Sequence, residues 1–214
     1  MEEAVRLEPE QLSQANLNPM EANQELPLIT SNSDPIRVDF LPDAVEQLPG
    51  RLGMTIAPGK CNLGMHAVWQ RHLETDLRRL RLHYRTDLLV TLLQAKELAE
   101  LQIPDLFTQV QTYGMQTRWF PIHDFGTPDS MPELQQLVEQ ILADLTVGQT
   151  VVIHCKAGLG RTGLVTASCL VALGHSPETA FKIVRQSRPG SVETLDQEAY
   201  VAEFAKLWQS VSKR

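Results

Sequence analysis

The stretch Val151-Val152-Ile153-His154-Cys155-Lys156-Ala157-Gly158-Leu159-Gly160-Arg161-Thr162-Gly163 runs from an apolar segment into a glycine-bearing loop. Three consecutive β-branched residues suit a strand buried on both faces. Gly158 and Gly160 put no side chain in the way and admit positive φ angles, so successive amides can turn inward. A helix expected from near Arg161 would add its positive end to the same point. Together these features describe a cup for an anion the size of a phosphate. In open α/β sheets ligands gather at the carboxyl ends of strands, which is where Cys155 stands.

Working outward, Ile36 to Phe40 alternates like a strand, and Met54 to Ala57 reads as a second short one. Leu88 to Leu92 is a compact buried run, and Thr117 to Pro121 suggests a further strand. Leu73, Leu77, Leu80 and Tyr84 share one helix face, with Arg78, Arg79, Arg81 and Arg85 on the solvent side. His66, His72 and His83 are assigned to that helix as solvated or half-buried residues. Further helices are expected from Lys96 to Leu101 and from Pro104 to Gly114. Ser130 and Glu133 have capping-box spacing before a helix bearing Leu134, Leu137, Val138, Ile141, Leu142 and Leu145, which Gly148 ends. One helix follows Cys155 and holds Cys169 in the core, and another is capped by Ser176 with Pro177 in its first turn. The last starts at about Leu195 and is expected to bury Tyr200, Val201, Phe204, Leu207, Trp208 and Val211. Strands alternating with helices predict a single α/β domain: a mostly parallel central sheet, helices on both faces, and the phosphate loop between a core strand and a helix.

The 214 residues fit one domain, and 43% hydrophobic with 21% charged residues suits a globular chain with a real core. Residues 1–29 are polar and acidic without an apolar period, and read as a mobile tail ahead of a domain over 30–214. The net charge of −7 argues against a nucleic-acid partner. No run approaches the ~18 apolar residues of a membrane span, so no stable membrane insertion is expected. Three cysteines do not make a disulfide framework, and the start lacks a secretory signal, so a cytoplasmic location is expected.

Inward amides and a helix N-terminus would stabilise a thiolate at Cys155, and a thiolate facing a bound phosphate is a nucleophile aimed at phosphorus. Arg161 offers a planar fork for two phosphate oxygens. Thr162 can donate its hydroxyl to the sulfur as it departs from a phosphoenzyme. His154 reads as a structural partner of the loop rather than a base. An acid for the leaving oxygen belongs on an upstream loop, and Phe120 to Asp129 supplies two carboxylates, Asp124 and Asp129. Either could be the acid, and Asp129 could instead be a helix cap. Nothing in this chemistry calls for a metal or another cofactor, and no metal-ligand spacing such as H-E-x-x-H occurs. Cys61, in the Pro58-Gly59-Lys60-Cys61 turn, is a candidate for a regulatory disulfide with Cys155.

The loop resembles the signature of the cysteine-dependent tyrosine and dual-specificity phosphatases, H-C-x-x-G-x-x-R-[ST]-G. His154, Cys155, Gly158, Arg161, Thr162 and Gly163 fill all six specified positions. A narrower resemblance, over about residues 30–205, is to the kinase-associated phosphatases, also called the cyclin-dependent kinase inhibitor 3 family. It rests on Thr30 to Val38, on Pro121-Ile122-x-Asp124-x-Gly126-Thr127-Pro128-Asp129, on Gly158 to Arg161, and on Thr194, Gln197, Tyr200 and Glu203-Phe204. The resemblance implies removal of phosphate from phosphotyrosine, phosphoserine or phosphothreonine in proteins, with a protein kinase among the candidate substrates. It makes Asp124 the first choice for the general acid and Asp129 the fallback, and gives Gln197 a part in positioning the hydrolytic water, against its plain reading as a helix-surface glutamine. Lys156 and Ala157 depart from that family. Cys-Lys-Ala-Gly is closer to mitotic-exit dual-specificity phosphatases and to phosphoinositide phosphatases, and Lys156 could read a further negative charge. The alternatives are a phosphoinositide or small-phosphate phosphatase, and a non-catalytic phosphoprotein-binding module.

Overall fold

The computed structural model describes residues 26–42 and 48–211, so most of the expected acidic tail lies outside the described residues. Eight strands and seven helices are described: β1 Leu28–Thr30, β2 Asp39–Phe40, β3 Arg51–Thr55, β4 Cys61–Leu63, β5 Val68–Gln70, α1 Leu73–Leu82, β6 Leu88–Thr91, α2 Ala95–Glu100, α3 Leu106–Thr112, β7 Gln116–Trp119, α4 Met131–Thr146, β8 Thr150–His154, α5 Gly160–Ala172, α6 Pro177–Ser187 and α7 Leu195–Val211. The central sheet has the order β2-β3-β8-β6-β7. Only the β2–β3 pair is antiparallel.

All five residues of β8 are buried, and its side chains divide between two cores. Val151 and Ile153 pack with Leu88 and Val90 against α4, α5, α6 and α7. Val152 and Leu89 face the other way, onto Leu77 and Leu80 of α1, Leu98 of α2, and Leu106 and Val110 of α3. A strand covered on both faces has no polar side to mark, which is why its sequence reads as an unbroken apolar run. The register sets Thr55 and Thr91 beside His154, so the β3, β8 and β6 ends meet at the start of the glycine loop.

The strand expected over Ile36–Phe40 shrinks to Asp39–Phe40. Ile36 and Val38 are buried in the core, but the Ile36 carbonyl takes the Arg79 Nε donor at 2.9 Å rather than a neighbouring strand. The next strand is Arg51–Thr55, not Met54–Ala57, because pairing with β8 starts at Arg51↔Thr150. A second sheet, β1-β5-β4, was not anticipated. Each of its strands has three residues, half-buried or exposed, so neither length nor alternation marks it. Leu28 and Ile29, read as part of the tail, pair in it with Val68 and Trp69.

α1 ends at Leu82, leaving Tyr84 and Arg85 beyond it. Of the three histidines expected on this helix, His72 and His83 flank it as caps and His66 lies in the bend before β5. Its arginine face is partly engaged, since Arg81 pairs with Asp87 at 2.8 Å. In α7, Val201 and Phe204 are buried as expected, but Leu207 is exposed. Among the described residues no helix is long and apolar enough to cross a membrane.

Candidate active site

Cys155 leaves the end of β8 almost wholly buried, and the Gly158 amide donates to its Sγ at 3.2 Å. Gly158 has φ +70°, and a Cβ there would collide with the Thr55 carbonyl oxygen, so glycine is required on both counts. Gly160 differs from expectation. It is the first residue of α5 without a positive φ, and it is small because Glu193 and Gln197 crowd it. Its amide donates to Glu193 Oε2 at 2.8 Å.

Arg188 sits on the outside of the loop. It donates to the carbonyls of Gly158 at 2.7 Å and Ala157 at 2.9 Å, and also pairs with Asp39. With the Gly158 carbonyl held on Arg188, the Gly158 amide is directed to the sulfur. His154 is fully buried, with Nε2 2.9 Å from Thr91 Oγ1 and Nδ1 3.3 Å from the Cys155 carbonyl oxygen. Burial above all, with the Arg161 charge adding, brings its pKa down to about 4, so the ring is neutral at physiological pH. It braces the loop, as its sequence position suggests.

Arg161 is 1% exposed. Its Nη1 donates to Glu97 Oε2 at 2.7 Å and to the Ile122 carbonyl at 3.0 Å, and its Nη2 donates to Glu97 Oε1 at 2.9 Å and to Asp124 Oδ1 at 2.7 Å. Burial opposes the guanidinium charge, but Glu97, Cys155 and Asp124 outweigh it and hold its pKa above the ordinary value. For Glu97 burial again opposes ionisation, and the Arg161 and Gln94 hydrogen bonds prevail, so its carboxyl stays below its usual pKa. Sequence reading passed over Glu97. The available signal was its three-residue spacing from Gln94: the two form a capping box at the start of α2.

Asp124 thus lies on the buried arginine while its own side chain is 45% exposed. Asp129 is exposed, acts on Tyr200, and does not cap α4, whose N-cap is Ser130 accepting from the Glu133 amide. Gln197 is fully buried, not the helix-surface glutamine of the plain reading. Its Nε2 donates to the Gly126 carbonyl at 3.1 Å and its Oε1 accepts from the Glu193 amide at 2.9 Å. It therefore ties the Asp124 loop to the segment that contacts Gly160. Thr162 Oγ1 is buried without a hydrogen-bond partner among the described residues, so it makes no bond to the sulfur in this arrangement.

Lys156 and Leu159 are half-buried and Ala157 is exposed along the loop. All three cysteines are free. Cys61 Sγ points to the Arg71 carbonyl at 3.3 Å, and the Cys169 thiol, deep in α5, is pushed up to about 12 by burial. Cys155, Arg161, Asp124 and Gln197 come together around one loop from three separate parts of the chain.

The chain as a whole has known counterparts. Cyclin-dependent kinase inhibitor 3 of Rattus norvegicus is 32% identical over 184 residues, 84% of either chain. Its Homo sapiens counterpart is 30% identical over 190 residues, 87% of either chain. The crystal structure of kinase associated phosphatase with its catalytic-site cysteine replaced by serine superposes with a TM-score of 0.74 at 28% identity, covering 82% of this chain and 97% of that one. The fold is that of the dual-specificity and tyrosine phosphatases. The cyclin-dependent kinase inhibitor 3 family model matches residues 10–181, and the chain belongs to that family.

Proposed function

We propose that this protein hydrolyses phosphomonoesters on phosphorylated protein side chains, phosphotyrosine and phosphoserine or phosphothreonine, through a phosphocysteine intermediate. The observation that carries the reading is the meeting of Cys155 Sγ, the Gly158 amide and the doubly engaged Arg161 guanidinium at one strand end. A phosphate entering the loop competes with Asp124 for Nη2 of Arg161. Sγ attacks phosphorus, Arg161 binds two of its oxygens, and the ester oxygen leaves with the proton of the Asp124 carboxyl. In the second step water attacks the phosphocysteine, Asp124 takes the water proton, and the sulfur departs as thiolate toward the Thr162 hydroxyl. Gln197, fixed between Gly126 and Glu193, orients that water. Asp124 rather than Asp129 takes the acid role here because it is the carboxylate that contacts Arg161. The names of the relatives point to a kinase, so a phosphothreonine on a protein kinase is a substrate worth testing first.

The test is phosphate release from phosphotyrosine and phosphothreonine peptides, beside an inositol phospholipid. Cys155→Ser is expected to lower peptide turnover by a factor on the order of 10⁴ or more, and Asp124→Asn by ~10²–10⁴. Equal release by wild type and Cys155→Ser would overturn the covalent route. Turnover of the lipid alone would replace the protein substrate.

A further inference from the structure

One ionisable side chain beside the loop has no part in the steps above. Lys60 lies between β3 and β4, only 5% exposed. Its Nζ stands 3.6 Å from the centre of the Trp69 ring and 3.4 Å from the Lys156 carbonyl oxygen, on the backbone that follows the reactive cysteine. The charged groups that act on it follow three elements. Arg71 follows β5 and is itself locked to Asp76 of α1; Lys156 and Cys155 follow β8; Arg188 follows α6. Three of these neighbours, Arg71, Lys156 and Arg188, are cations that disfavour a further positive charge, and burial disfavours it more. Cys155 alone among the charged neighbours favours it. A cation held in so adverse a place needs a countercharge. Because coupling between two sites is reciprocal, whatever the anionic sulfur does for the ammonium, the ammonium does for the sulfur.

We infer that Lys60 is a positioning residue for the Cys155 chemistry: its ammonium, clamped between the Trp69 ring and the Lys156 carbonyl, stabilises the anionic sulfur from behind the loop. This rests on the phosphatase reading of the same site and adds an electrostatic partner to it. A charge there acts twice, on the attacking thiolate and on the thiolate expelled when the phosphocysteine is hydrolysed. Trp69 fits the role because an aromatic face holds a cation without taking its charge away, as a carboxylate would.

The sign of the pH effect follows. The Lys60 pKa is lowered from 10.5 to about 8, chiefly by burial and then by Arg71, so the charge is present at pH 6–7 and lost as pH rises past about 8. Alkylation of Cys155 by iodoacetamide, followed by mass spectrometry from pH 5.5 to 9.5, reads the effect without needing a substrate. At pH 6.5 Lys60→Met is expected to slow alkylation by about tenfold, and Lys60→Arg to restore most of it. The turnover of wild type on a phosphotyrosine peptide should fall above pH 8. That fall should move upward in Lys60→Arg and vanish from the already slow Lys60→Met. The melting temperature of Lys60→Met should hold or rise, since the variant removes a buried cation. Alkylation and turnover in Lys60→Met matching wild type across the range would overturn the inference. Slow alkylation accompanied by a collapsed melting temperature, unrescued by arginine, would also overturn it by making the residue structural. A wild type that alkylates as described yet releases no phosphate would instead bring down the phosphatase reading and leave the Lys60–Cys155 link standing.

Discussion

Two buried arginines hold two buried carboxylates in this molecule with nearly the same bond lengths, Arg71 side-on through Nε and Nη2 and Arg161 end-on through its two Nη atoms. Arg71 meets Asp76 through bonds of 2.8 and 2.9 Å, and Arg161 meets Glu97 through bonds of 2.7 and 2.9 Å. Both pairs are almost wholly out of solvent. What differs is where the spare hydrogen-bonding capacity goes. Around Arg71 it ends on fixed backbone: Nη1 donates to the Asp34 carbonyl, and Asp76 accepts the Gly59 amide. Around Arg161 it ends on the Ile122 carbonyl and on Asp124, a half-solvated side chain that can be exchanged for a ligand. A paired, buried arginine is thus not a functional sign in itself. What sets Arg161 apart is one donor left on a half-solvated side chain, with the Cys155 thiol close by.

The largest effect is expected from Arg161→Met. It leaves Glu97 buried without its cation, which should cost about 3–5 kcal/mol of stability by chemical denaturation. It should also lower phosphate release by ~10²–10³ in whatever remains folded, because a charge aimed at the transferring phosphoryl group is gone. Asp76→Asn should come next, with a stability loss approaching the same ~3–5 kcal/mol because it strips the charge from the other pair. The turnover of its folded fraction should fall far less than in Arg161→Met. A comparable rate loss would show that the Arg71 pair belongs to the site after all. The smallest effect is expected at a third arginine pair, Arg37 with Asp34, where the arginine side chain is 75% exposed. Arg37→Ala should change the unfolding free energy by less than ~0.5 kcal/mol, since exposed ion pairs are screened and entropically costly to hold. A larger change would mean that exposure is a poor guide to the value of these pairs.

The two cysteines of the central region make the same point on a shorter scale. Cys155 and Cys169 are both buried and lie fourteen residues apart, one facing an amide at a strand end and the other inside α5, where burial pushes its thiol up to about 12. Their difference was readable beforehand, because glycine spacing after Cys155 and an apolar period around Cys169 are local patterns. The parallel core, α4 with its Ser130 cap, and the candidates Cys155 and Arg161 were legible for that reason, whereas the choice of Asp124 over Asp129 came from the family resemblance. The three-residue strands of the small sheet were not, since β1 pairs with β5 about forty positions away and none of the three strands is long enough to carry a pattern of its own.

Backbone preference, side-chain periodicity and the room left by a glycine act over a few residues, so the sequence by itself determined the strand–loop–helix unit and which side chains it offers. Which charges end up without water, and what faces them, was decided only by the tertiary structure. Glu97 reaches Arg161 across 64 positions, Lys60 reaches the loop backbone across 96, and Arg188 pairs with Asp39 across 149. Desolvation and ion pairing depend on distances in space, and those distances exist only once both helical layers have closed on the sheet.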